Sequence, residues 1–308
     1  MSTIEKALTK LNRDNTGRAE DSDQHTEQKT AQKTEQKTMV QRATEHDVSS
    51  AKAVASPQPD KHDGAAHTVQ LDLALLEKNN FVSLSKDRRL INEEYRVIKR
   101  KLINNAFGAL SKTLEHPNLI LVSSSRPGEG KTFSAINLAL SIALEQDKTV
   151  LLVDADVLRP NVSKTLGISH HLGLTDYLQS TSVTVPDILL STNVERLKVI
   201  TAGSPHHLST ELLASERMSQ LVDEFSTRYP DRIVIFDAPP LLGVNETAVM
   251  AAMCGQAVIV VEENRTRLAE IEQSVSLLPK EMAVGFLINK AHRNQGKGYG
   301  YGYYYGAS

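Results

Sequence analysis

The apolar run Asn118-Leu119-Ile120-Leu121-Val122 leads into Ser125-Arg126-Pro127-Gly128-Glu129-Gly130-Lys131-Thr132, and a helix-like stretch follows from Phe133 to Glu145. Few folds accept that succession. A strand delivers the chain, small residues let backbone N–H groups converge on an anion, and the next helix aims its positive dipole end at the same place. The spacing matches the phosphate loop G-x-x-x-x-G-K-[ST], except that Ser125 stands where the first glycine belongs. It makes Ser125, Gly128, Glu129, Gly130, Lys131, Thr132 and Phe133 the candidate nucleotide contacts. Lys131 would reach the outer phosphates and Thr132 a magnesium ion.

Beyond the loop, apolar runs alternate with helix-length segments. The runs are Leu119 to Ser123, Val150 to Val153, Leu197 to Ile200, Ile233 to Phe236, Ala257 to Val261 and Val284 to Ile288. Helices are expected at Lys131 to Glu145, Thr175 to Gln179, Thr210 to Tyr229, Glu246 to Met253 and Ala269 to Leu278. Strands that are apolar throughout and separated by helices imply a mostly parallel sheet covered on both faces. The fold class expected is α/β, a P-loop NTPase-type sheet. Ligands of such sheets sit at the carboxyl ends of the strands.

Carboxylates fall at those ends. Val150 to Val153 runs into Asp154-Ala155-Asp156, and Ile233 to Phe236 into Asp237-Ala238-Pro239-Pro240. A single strand-end Asp is ordinarily a turn or helix cap. Three of them around one phosphate loop point to ATP or GTP with Mg²⁺, Asp237 standing as the carboxylate at the metal. The phosphoryl acceptor stays open at this point: water would make a nucleotide switch, a hydroxyl a kinase.

The remaining segments are polar or short. Residues 1–12 carry a Ser2/Glu5 capping box with Ile4, Ala7, Leu8 and Leu11 at helical spacing, which reads equally as a docking helix or a frayed terminus. Residues 13–67 are almost free of large apolar side chains and contain an imperfect Thr-Glu-Gln-Lys-Thr repeat, so a disordered linker is expected. Order should return over residues 69–106, with a helix from Leu90 to Ala106 burying Tyr95, Ile98, Leu102 and Ile103. A formal net charge of -2 disfavours a nucleic-acid partner held by bulk charge. The one cysteine, Cys254, lies in an apolar stretch, and the pairs His170-His171 and His206-His207 lack ligands at metal spacing. No apolar run approaches the roughly 20 residues a membrane span needs, so a cytoplasmic chain is expected.

The last segment, 291–308, is different in kind. Tyr299, Tyr301, Tyr303, Tyr304 and Tyr305 lie among glycines and hold five of the eight tyrosines. Glycine spacers supply no packing, so the segment reads as a sticky low-complexity tail or as a flexible string of phenol acceptors.

Here the residues resemble a family, the bacterial tyrosine kinases of capsule and exopolysaccharide loci. The shared marks are a loop of the form S-x-P-G-E-G-K-T, the Asp154-Ala155-Asp156 motif and a strand ending D-x-P-P. The Ser209-Thr210-Glu211-Leu212-Leu213 stretch and the C-terminal tyrosines also match. In that family a small residue commonly replaces the first loop glycine.

The resemblance implies an ATP- and Mg²⁺-dependent protein-tyrosine autokinase phosphorylating Tyr299 to Tyr305 in trans within an oligomer, ring-shaped in the family. Asp154 would orient or deprotonate the phenol, with Asp156 and Asp237 placing the metal. Glu93, Arg96, Lys99 and Arg100 resemble the family's E-x-x-R-x-x-R subunit contact, with Lys99 at the second Arg. Arg159 stands one residue past the place where the family has Arg, a place held here by Leu158.

The implied partners are an integral-membrane polysaccharide chain-length determinant as activator, recruiting the kinase to the inner face of the membrane, and a cognate tyrosine phosphatase. The rival is a Min- or Par-type partition ATPase, whose signature lysine is Arg126 here.

Overall fold

The computed structural model describes residues 67–85 and 89–292. Residues 1–12, all but the last residue of 13–67, and Tyr299 to Tyr305 lie outside that range. Eight strands form one sheet: β1 (Thr68–Val69), β2 (Leu119–Ser124), β3 (Thr149–Asp154), β4 (Leu190–Thr192), β5 (Leu197–Ile200), β6 (Arg232–Asp237), β7 (Gln256–Glu262) and β8 (Ala283–Asn289). Their order is β1-β4-β5-β3-β6-β2-β7-β8, and only β4 with β5 is antiparallel. The α/β, mostly parallel architecture expected from the alternation is the one observed.

The loop strand β2 is central and lies between β6 and β7. Alternate residues of each strand feed two cores. Ile120, Val122, Leu152, Ile235 and Val260 pack with Ile136 and Leu140 of the helix after the loop (Lys131–Ala143) and with Tyr95 and Leu102 of Leu90–Phe107. On the other face Leu121, Val153, Val234, Phe236 and Ile259 meet Met218, Leu221 and Phe225 of Glu216–Thr227. Each such Val, Leu or Ile contributes roughly 1.5–3 kcal/mol relative to exposure. That is why β2, β3 and β6, buried at almost every position, read as continuous apolar runs.

Two expectations change, and two strands are added. The helix expected from Thr210 to Tyr229 is two, Ser209–Leu213 and Glu216–Thr227, because the Ser215 hydroxyl accepts the Met218 N–H and starts a new helix. The short strands β1 and β4 have no periodic signal in sequence. Lys99 does not join Glu93, Arg96 and Arg100 at the surface: it is buried, donates to the Ser141 carbonyl at 2.6 Å and pairs with Glu145 at 2.7 Å. Its long stem reaches under the helix while its charge is neutralised at the end of Lys131–Ala143. Arg96 stays half-exposed, bound to Glu93 one turn away at 2.7 Å.

Candidate active site

The tips of β2, β3 and β6 converge because β3 and β6 pair in register with Asp154 opposite Asp237. Beside them opens a cavity of about 780 Å³ whose walls include Pro127, Gly128, Gly130, Lys131, Thr132 and Phe133 from the loop side. Asp156, Leu158, Arg159 and Lys164 face them, and Pro239, Pro240 and Leu242 close the far end. Gly128 and Gly130 have φ of 86° and 99°, a left-handed backbone that bends the loop around the first turn of the helix. Of the seven loop residues singled out in sequence, five line the cavity. Ser125 is buried at the base, its hydroxyl accepting from Ser274, and the Glu129 side chain is buried away from the cavity against Arg126 and Thr266.

The inner flank of the loop concentrates charge. Lys131 Nζ donates to Asp156 Oδ2 at 2.5 Å and lies 4.0 Å from Asp237 Oδ1. The Thr132 hydroxyl donates to Asp237 Oδ2 at 2.6 Å, while Asp237 Oδ1 is buried without a hydrogen-bond partner. Burial works against the Lys131 ammonium, but Asp237 and Asp156 outweigh it and hold its pKa above the usual lysine value. Burial lifts the Asp237 carboxyl to about 6 against the pull of Lys131 and Thr132. Burial, with Asp237 and Asp156 beside it, lifts Asp154 to about 8 against the pull of the Val162 N–H and Lys131. With Asp154 protonated at neutral pH, Asp156 and Asp237 still outnumber the one ammonium and leave a surplus of negative charge in a dry place.

That surplus and the orphaned Asp237 oxygen fit a divalent cation. Among the described residues no three His, Cys, Asp or Glu side chains could hold an ion by themselves. Magnesium suits such a place, since it takes one or two protein oxygens and completes its shell with phosphate and water. Thr132 and Asp237, joined by a hydrogen bond beside that free oxygen, would hold it, while Asp156, the third candidate from the sequence, is engaged by Lys131.

Asp154 is placed differently from its expected role. Its Oδ2 accepts the N–H groups of Asn161 and Val162 at 3.1 and 3.0 Å, and its Oδ1 that of Asp156 at 3.3 Å. It is fully buried and does not line the cavity; it fastens the turn that carries Asp156 to the short helix Val162–Leu166. Asp156 is the carboxylate of that motif open to the cavity. Leu158 and Arg159 both line it, so the shifted arginine still brings a cation to the site.

The outer flank joins Glu129 and Arg126 to residues with no motif in the sequence, Thr266, Glu270, Asn289 and Lys290. Glu129 accepts the Arg126 N–H at 2.8 Å and the Thr266 hydroxyl. Asn289 at the end of β8 donates to the Glu129 carbonyl at 2.8 Å, and Lys290 donates to the Gly128 carbonyl at 2.8 Å and to Glu262 at 3.0 Å. Arg126 pairs with Glu270 at 3.2 Å. The only hint in sequence is that Asn289, like Asp154 and Asp237, ends an apolar strand.

Residues 118–278 match the family model described as "AAA domain". The tyrosine-protein kinase YwqD of Bacillus subtilis is 29% identical over 214 residues, covering 69% of this chain and 86% of that protein. The tyrosine-protein kinase CpsD of Streptococcus agalactiae is 30% identical over 179 residues, covering 57% and 76%. The BceF tyrosine kinase domain superposes with a TM-score of 0.57 at 25% identity, covering 72% of this chain and 91% of that one. With a phosphate loop, strand-tip carboxylates and these likenesses together, the chain belongs to the family of bacterial tyrosine-protein kinases.

Proposed function

We propose that this chain is an ATP- and Mg²⁺-dependent tyrosine autokinase whose acceptors are its own C-terminal tyrosines, in the service of polysaccharide synthesis and export. The observation that carries it is the cavity where Lys131, Thr132 and Asp156 meet above the buried Asp237. Residues 68–290 would be the catalytic domain, 291–308 the acceptor and 13–67 a tether.

The chemistry follows from what faces the cavity. Magnesium held by Thr132 and Asp237 would neutralise charge on the transferring phosphoryl group. Lys131 exchanges its Asp156 partner for phosphate oxygens, and that exchange frees a carboxylate at the moment a substrate arrives. The phenol oxygen of tyrosine then bonds to the γ-phosphorus as the bond from that phosphorus to the β–γ bridging oxygen breaks, and ADP leaves with the bridging oxygen. The phenol proton passes to Asp156. A phenol of pKa near 10 is protonated at neutral pH, so an adjacent carboxylate lowers the barrier. Asp154, with three N–H groups on its oxygens, positions Asp156 instead of taking the proton itself.

Transfer in trans within a ring, through the half-buried Glu93 and the exposed Arg96 and Arg100 on Leu90–Phe107, is part of this reading. No helix of the described residues is long and apolar enough to cross a membrane, so an integral-membrane chain-length determinant is proposed as the activator that brings the kinase to the membrane. Arg126, at the place of a partition ATPase's signature lysine, is engaged by Glu270 of its own chain, which favours the kinase over that switch.

The test is to incubate the purified full chain with γ-labelled ATP and Mg²⁺ and to mix Lys131→Met protein with protein truncated after His292. Label on the tail of the Lys131→Met chain is expected. Inorganic phosphate released with no labelled protein would overturn the kinase reading in favour of a switch.

A further inference from the structure

We infer that Asn289 and Lys290, at the end of strand β8, are positioning residues that aim the loop's N–H groups at the phosphates. The inference rests on the nucleotide reading above and deepens it.

In a trans peptide the C=O of one residue and the N–H of the next point in opposite directions. Lys290 Nζ holds the Gly128 carbonyl and Asn289 Nδ2 the Glu129 carbonyl, both at 2.8 Å on the outer side of the loop. The N–H groups of Glu129 and Gly130 are thereby turned away from Asn289 and Lys290, in a loop whose Gly128, Gly130 and Lys131 line the cavity. Carbonyls facing inward would instead repel phosphate oxygens.

The clamp is tight. A Cβ on Gly130 would come within 2.1 Å of Asn289 Nδ2, so this glycine serves close approach as well as its φ of 99°. Glu129 completes the fastening: its buried carboxylate binds the Arg126 N–H and the Thr266 hydroxyl, so its side chain stays out of the cavity. Lys290 itself has a φ of 55°, a backbone turn that brings its side chain back over the loop while Glu262 holds the ammonium at 3.0 Å. The loop is preorganised before any ligand arrives, and preorganised donors are where binding gains come from.

Calorimetry of MgADP binding to the full chain tests this. Asn289→Ala should weaken affinity about tenfold, the effect of one lost hydrogen bond in a charged site. Asn289→Asp should weaken it further, because a carboxylate beside the Glu129 carbonyl repels both that oxygen and the phosphates. A purely structural role for Asn289 would make the two variants alike at equal thermal midpoint. At the exposed position, Lys290→Arg keeps a donor and should retain affinity that Lys290→Met loses.

Variants that fold and bind MgADP like the parent chain would overturn the positioning role alone. A parent chain that binds no MgADP would overturn the nucleotide reading with it.

Discussion

The two flanks of the phosphate loop are built on opposite principles. Outside, Glu129, Asn289, Lys290 and Arg126 have partners for the groups they bring, and both cations are matched: Lys290 with Glu262, Arg126 with Glu270. Inside, Asp154, Asp156 and Asp237 share one lysine, and a buried carboxylate oxygen has no donor. Satisfied networks rigidify, and unsatisfied ones hold a place for what is missing. On the proposed reading the outer flank would supply shape and the inner flank affinity for a cation and a nucleotide.

Breaking the inner flank should have the largest effect on activity. Asp156→Asn is expected to lower tail phosphorylation by about 10²- to 10⁴-fold while ATP binding persists. Phosphotyrosine immunoblots beside nucleotide calorimetry would show it, and a variant at parent activity would remove Asp156 from proton transfer.

The flanks should then respond with opposite sign in stability. Asp237→Asn takes a charge out of a crowded buried cluster and should raise the thermal midpoint of the nucleotide-free protein while phosphorylation falls. Glu129→Ala strips the Arg126 N–H and Thr266 of their acceptor and should cost about 1–3 kcal/mol. Denaturant titration of both variants decides whether the contrast is real.

A pH series sharpens it further. Asp237 near 6 and Asp154 near 8 lie above the ordinary aspartate value of about 3.9, so the folded protein binds protons that the unfolded chain has released. Their stabilising contribution is full below about pH 4 and is lost as pH rises through about 6 and 8. The nucleotide-free midpoint should fall over that range, and MgADP should flatten the slope.

The smallest effect belongs to Arg126→Ala. An ion pair with one partner half-exposed is worth at most about 1 kcal/mol, so stability should barely change.

Much of this site is local and therefore legible. A strand, a glycine loop ending in Lys131-Thr132 and a helix are consecutive in the chain, and periodicity exposes each part. Asp154, Asp156 and Asp237 announce themselves by ending apolar runs. The break at Ser215 leaves little trace in the pattern, because a cap of one residue does not disturb an apolar stripe that continues on either side. Strand β4, three residues long, carries no period to read. Lys99 looks like a surface cation from its neighbours Arg96 and Arg100, and only the packing of two helices turns it inward.

The sequence by itself determined the fold class, the loop and the family, since these rest on residue order and on apolar spacing that any window of the chain contains. Tertiary structure alone decided which carboxylate faces the cavity and what holds the loop from behind. Asp154 and Asp156 stand two residues apart, and a hydrogen bond to a helix start at Val162 is what sends one into the interior and leaves the other open. Asn289 and Glu129 are separated by 160 residues and meet only because β8 lies beside β7, and β7 beside β2. Side-chain direction at a strand tip is set by whichever distant groups close around it, and no local pattern encodes that.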